Sequence, residues 1–208
     1  MSDESTDDER NRHFYQALLA RYGNSHQALN WGSTFSQHRR FEILAGIGIA
    51  AGDSVLDVGC GLGDFYAWLQ AHHPQVAYAG LDLTSAMIER ARERFPGVRF
   101  MYGTALESAT LAEEEFDHIM ASGIFYLRKH NPESYLQRTV RAMFSRAQKS
   151  VAFNTLSTWA TTKEAGEFYA DPARVLAFCH TLTACVVLRH DYHPADFTIY
   201  LYKEGARV

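Results

Sequence analysis

The segment Ser54–Asp64, SVLDVGCGLGD, constrains this chain more than any other. Its first five residues, Ser54–Val58, are a short β-branched and apolar run that reads as a strand. Glycines then stand at 59, 61 and 63. They let the backbone turn tightly and let a ligand approach where a Cβ would collide. A helical pattern opens at Asp64. A strand that passes through a glycine-rich turn into a helix is the first unit of an open, mostly parallel α/β sheet. With 208 residues, the chain has room for one such domain, a sizeable core and a short extension.

The alternation continues downstream. Strands are expected at Val76–Leu83, Val98–Tyr102, Phe116–Ala121 and Val151–Thr155. Helices are expected at Asp64–His72, Ser85–Phe95, Pro132–Ala147 and Pro172–Thr181, the last capped by Asp171. Two further strands, Ala184–Arg189 and Phe197–Tyr202, are joined by only seven residues. That is too short for a parallel crossover, so they are expected to be antiparallel neighbours. The expected fold is a Rossmann-like, doubly wound seven-stranded sheet: five parallel β-α units, then a C-terminal β-hairpin. Ahead of it, Phe14, Leu18 and Leu19 share one helical face. A second helix is expected from Thr34 to Ile47, with Phe35, Phe41 and Leu44 as its buried stripe. Residues 1–50 thus form an acidic tail and an N-terminal helical cap, and residues 51–208 form the core.

Composition narrows the function classes. The longest apolar run, Ile43–Ala51, is interrupted by Gly46 and Gly48 and is too short to cross a bilayer. The start, MSDESTDDER, is acidic and polar and is no secretory signal, so a cytoplasmic location is expected. Asp3, Glu4, Asp7, Asp8 and Glu9 supply five of the 24 acids behind a net charge of −4, and are expected to form a solvated, frayed tail. The remainder is near neutral, which disfavours nucleic acid as a partner. Cys60, Cys179 and Cys185 are odd in number and lack a Cys-x-x-Cys pair, so neither a disulfide framework nor a metal site is expected.

In such a sheet, ligands bind beyond the carboxyl ends of the strands, at the point where the strand order reverses. The second strand ends in Asp82, nineteen residues after Gly63, where a carboxylate can accept hydrogen bonds from both hydroxyls of a ribose. A dinucleotide needs G-x-G-x-x-G with a helix N-terminus aimed at its pyrophosphate. Here Asp64 occupies the place of the third glycine, and Asp57 precedes the loop. Two acids suit a ligand carrying positive charge, an ammonium or a sulfonium, better than a pyrophosphate. S-adenosylmethionine (SAM) is such a ligand, and a dinucleotide is the weaker alternative.

The stretch VLDVGCGLGDF resembles the first motif of class I SAM-dependent methyltransferases. GLDLTSAMIERARERF resembles their second strand and following helix, and FDHIMASGIFYL their fourth strand. The hairpin ending is similar too, because that family places an antiparallel seventh strand between the fifth and sixth. The resemblance spans roughly Ser54 to Lys203. The whole chain is also similar to small bacterial methyltransferase-like proteins whose N-terminal helices carry a Trp-Gly-Ser segment, here Trp31-Gly32-Ser33. It implies that Asp57 and the loop Gly59-Cys60-Gly61 hold the methionine part of SAM. Asp82 would hold the ribose, and Leu83 and Met87 would pack on the adenine. The family's usual acid after the third strand is replaced by Thr104, with the backbone of Ala105 and Leu106 or the Glu107 side chain as substitutes. Ala121 and Ser122 would lie beneath the methyl donor. Trp31 and Arg40 of the cap would reach the cofactor, with Arg40 pairing with the methionine carboxylate. S-adenosylhomocysteine (SAH) is the implied product, without a metal.

The acceptor side is less specified. Methyl transfer from a sulfonium is an in-line displacement in which positioning supplies much of the rate. A general base is needed only if the acceptor must lose a proton. Phe125, Tyr126, Asn154 and His190 are the candidate substrate residues, and Tyr126, His130 and His190 the candidate catalytic ones. Each His also reads as an ordinary surface residue. The family's Asn/Asp-Pro-Pro-aromatic signature is absent, which lowers the case for a nucleobase and leaves a small molecule as the expected acceptor. A protein or RNA target, or a silent SAM-binding role, are the alternatives. A monomer or a homodimer is expected.

Overall fold

The computed structural model describes residues 3–106, 114–127 and 129–203; Glu107 lies outside the described residues. Seven strands form one sheet: β1 (Ser54–Val58), β2 (Ala77–Asp82), β3 (Arg99–Tyr102), β4 (Phe116–Ala121), β5 (Ala147–Leu156), β6 (Val186–Arg189) and β7 (Asp196–Tyr202). Their order is β3-β2-β1-β4-β5-β7-β6. The first five run parallel. β7 lies antiparallel between β5 and β6, as the sequence led us to expect. The order reverses between β1 and β4, so the crevice beyond these two strands is the natural ligand site.

Alternation along the strands sends residues to two faces. Val55, Met120, Ala152 and Tyr200 pack on one face with Phe41 and Leu44 of α2 (Thr34–Ala45) and Phe65 and Leu69 of α3 (Asp64–His72). Leu56, Ile119, Val151, Phe153 and Ile199 pack on the other with α5 (Pro132–Arg146) and α6 (Pro172–His180). Between them in sequence, α4 (Ser85–Arg94) buries Ile88 and Ala91 against Cys60 and Phe100. Asn131 caps α5 by accepting the Ser134 N–H, and Asp171 caps α6.

The N-terminal region departs from the sequence reading in three places. The acidic start is not a frayed tail: α1 runs from Asp3 to Tyr22. Asp7 is buried, pairs with Arg10 and accepts the His130 N–H at 2.7 Å, while Asp8 pairs with Lys129 at 2.7 Å. Burial against a neighbouring loop, which no local pattern reports, holds these acids. Phe35 is not part of the buried stripe of α2; it is 80% exposed, and Arg40 and Ile43 are buried instead. The inward stripe of α1 is Tyr15, Leu19 and Tyr22, which pack with Ala28, Leu62 and Met87.

Candidate functional site

The glycine loop is fastened to the end of β2. The N–H groups of Gly59 and Cys60 both donate to the Leu81 carbonyl, at 2.7 and 3.1 Å. Asp82 accepts the Gly61 N–H at 2.9 Å on one carboxylate oxygen and the Thr84 N–H at 2.8 Å on the other. Gly61 has φ +52°, and a Cβ there would sit 2.5 Å from Leu29 Cδ2. Only glycine fits both the left-handed backbone and the leucine that the cap lays across the loop.

Two adjoining cavities open above this loop. The first encloses about 870 Å³ of space, its open mouth included. Its walls include Trp31, Gly59, Gly61, Asp82, Leu83, Met87, Thr104, Ala105, Leu106 and Ser122, all named from the sequence. Among the described residues, Asp82 is its one ionisable acid and no Lys, Arg or His lines it. The second cavity encloses about 630 Å³ and is lined by Arg40, Tyr126, Asn154, Thr155, Glu167 and Asp196, among others. Leu29, Trp31 and Gly123 line both.

The remaining candidates lie elsewhere. Asp57, Cys60 and Ala121 are buried under the loop and line neither cavity. Asp57 accepts a hydrogen bond from the Tyr78 hydroxyl at 2.8 Å. Its pKa is pushed up to about 7, chiefly by burial and further by the nearby charges of Asp82 and Asp64, against the Tyr78 bond. Burial likewise raises Asp82, although four hydrogen bonds oppose it. Arg40 lines the second cavity and not the first, and pairs with Asp196. Phe125 is core, packed on Tyr135 and Phe153. His130 is exposed and lines neither cavity. His190 is hydrogen-bonded to Ser157 Oγ at 2.8 Å and stacked on Phe197, also away from both. Asn154 joins the end of β5 to the loop after β4. Its Oδ1 accepts the Gly123 N–H at 2.9 Å and its Nδ2 donates to Ser122 Oγ at 3.0 Å.

Sequence reasoning missed the wall contributed by α1. Asn11 and Tyr15 line the first cavity, and the Arg12 Nε donates to the Leu83 carbonyl at 3.2 Å. The spacing of Tyr15, Leu19 and Tyr22 carried that signal. Glu167 and Asp196 of the second cavity had no motif to mark them.

One further cluster imitates chemistry. Ser150 Oγ, His118 and Asp53 are joined through the two imidazole nitrogens at 2.7 and 2.8 Å, the connectivity of a hydrolase triad. Ser150 is 1% exposed and neither cavity includes it. The cluster clamps β1, β4 and β5 at the end of the sheet away from the ligand crevice.

A fold of this topology, with a glycine loop tied to an acid on β2, is similar to that of the class I SAM-dependent methyltransferases. The methyltransferase-domain family matches residues 55–145. The chain is 27% identical over 157 residues to Rv1506c of Mycobacterium tuberculosis, named as a methyltransferase, covering 72% of this chain and 93% of that protein. It is 34% identical over 106 residues to trans-aconitate 2-methyltransferase of Methylobacterium nodulans, covering 49% of this chain and 38% of that enzyme. The chain thus spans little more than a third of that longer relative. In fold it matches magnesium protoporphyrin IX methyltransferase of Synechocystis PCC 6803 with bound SAM. That match has a TM-score of 0.66 at 13% identity over 98% of both chains.

Proposed function

We propose that this chain transfers a methyl group from SAM, seated in the first cavity, to a small-molecule acceptor held in the second. The shared wall carries this reading: a ligand in each cavity would meet the other across Leu29, Trp31 and Gly123. The residues fit SAM better than a dinucleotide. A cavity without a cationic side chain, flanked by Asp82 and the buried Asp57, suits a positively charged ligand and opposes a pyrophosphate.

When bound, SAM supplies an electrophilic methyl group on a sulfonium. The chain's own residues bind and orient. The Gly61 and Thr84 N–H groups hold the Asp82 carboxylate at the cavity wall, where it would accept from the ribose hydroxyls. Leu83 and Met87 on one side, and Thr104, Ala105 and Leu106 on the other, give the adenine an apolar slot with a polar rim. Asn154 fixes Ser122 of the first cavity and Gly123, which lines both, so this edge stays in place as reactants approach. Titration calorimetry with SAM tests the cofactor assignment. Asp82→Asn is expected to weaken SAM at least about tenfold, the weight of one or two charge-assisted hydrogen bonds. Binding of NAD without binding of millimolar SAM refutes it.

A further inference from the structure

We infer that the acceptor is a primary or secondary amine whose nitrogen lies beside Glu167, an inference that rests on the second cavity being the acceptor site. Three side chains on that cavity's wall carry formal charge: Arg40, Asp196 and Glu167. Arg40 and Asp196 are both buried and paired with each other. The same guanidinium donates to the Ser36 carbonyl at 2.9 Å and to Ser36 Oγ, and lies over the Trp31 ring at 5.0 Å. Its charge is therefore met within the wall. His193 also faces Asp196, at 3.6 Å, but its Nδ1 accepts the Ala195 N–H, as only the neutral imidazole protonated on Nε2 can. Burial, with Arg40 nearby, holds that imidazole below its ordinary pKa.

Among the described residues, Glu167 is left without an ionic partner. It accepts a hydrogen bond from the Tyr169 hydroxyl, which does not neutralise it. Tyr126 stands near it: its hydroxyl accepts from Tyr15 at 3.2 Å and from Asn30 at 3.0 Å, leaving its own proton to donate. Thr155 Oγ1, buried in the same wall, has no hydrogen-bond partner among the described residues. Among the described residues, the wall is thus polar with a net charge of −1. A carboxylate acceptor would meet Glu167 as a like charge, while an ammonium would be attracted to it. The trans-aconitate enzyme is named for an acid, so charge separates this site from that relative.

The chemistry balances. An ammonium bound beside Glu167 passes one proton to the carboxylate, and the freed nitrogen lone pair takes the methyl group. The carbon–sulfur bond breaks and its electron pair stays on sulfur, giving the neutral thioether. The product leaves as a methylated ammonium, and Glu167 returns its proton to water at the cavity mouth.

The test uses the whole protein saturated with SAH and two probes of one shape, benzylamine and benzoate, followed by calorimetry. Benzylamine is expected to bind at least about tenfold more tightly than benzoate, given one uncompensated charge near the surface. Glu167→Gln is expected to remove the preference while leaving SAH affinity unchanged. Equal binding, a preference for benzoate, or no binding of either at about 100 mM overturns the inference. Failure to bind SAH would instead overturn the cofactor assignment, and is read before any probe is added.

Discussion

Asp57 is expected to release a proton when a cation binds above the glycine loop, and this can be measured. Burial, with a smaller contribution from Asp82 and Asp64, pushes its carboxyl up to about 7, so at neutral pH about half the molecules carry its proton. A cationic ligand above the loop favours the charged form and pulls that pKa down. The sign follows: binding releases protons, and affinity for SAM rises with pH up to about 7, then levels. If the bound pKa falls to about 5, affinity at pH 5.5 is about tenfold weaker than at pH 7. The ligand's own amino group stays protonated through this window, since α-amino groups titrate near 7.7. Calorimetry at pH 6.5 in buffers of different ionisation enthalpy is expected to show release of roughly half a proton or more per SAM. Asp57→Asn is expected to abolish both the release and the pH slope. A flat affinity between pH 5.5 and 7, or a slope that survives in Asp57→Asn, would show that Asp57 does not sense the ligand. The same shift acts on the free protein: a carboxyl raised in the folded state stabilises it at low pH and loses that contribution as pH rises through 7.

Two other perturbations separate cap from core. Lys129→Ala removes the partner of Asp8 and a cation over the Tyr135 ring at 4.0 Å; hydrogen exchange is expected to show α1 loosened by about 2 kcal/mol, with β1 amides unaffected. Asp53 has its pKa lowered to about 2; burial opposes this, but bonds from Lys149, the Ala50 N–H and His118 outweigh it. It therefore stabilises the fold above pH 3.8 by about 2 kcal/mol, a contribution lost as pH falls toward 2. In acid unfolding, Asp53→Asn is expected to remove this pH dependence without changing SAM affinity.

The sheet was legible because its signals are local. Ser54–Val58 is a short β-branched, apolar run, glycines mark the turn, and prolines at 132 and 172 start helices. The hairpin followed from a loop length. Side-chain destinations were less legible wherever distant contacts decide them. Arg40 is drawn to Asp196, 156 positions away, and so faces the second cavity. Asp64, read as a repulsive charge at the loop, is engaged by Arg94 at 2.7 Å and Gln37 at 3.1 Å and lies outside the first cavity. The preference for a cation therefore rests on Asp57 and Asp82. Asp7 and Asp8 read as solvent-facing until the loop at Lys129 and His130 was seen to meet them.

The partition formed by Leu29, Trp31 and Gly123 has a thermodynamic consequence. Any ligand that shifts Trp31 or Leu29 from one side alters the volume available on the other. Whatever factor an acceptor imposes on SAM affinity, SAM must impose on the acceptor's. A partition of this kind can register whether the sulfur still carries its methyl group. Two binding constants measured on one side, for SAM and for SAH with the acceptor present, would then report how strongly the protein distinguishes a loaded donor from a spent one.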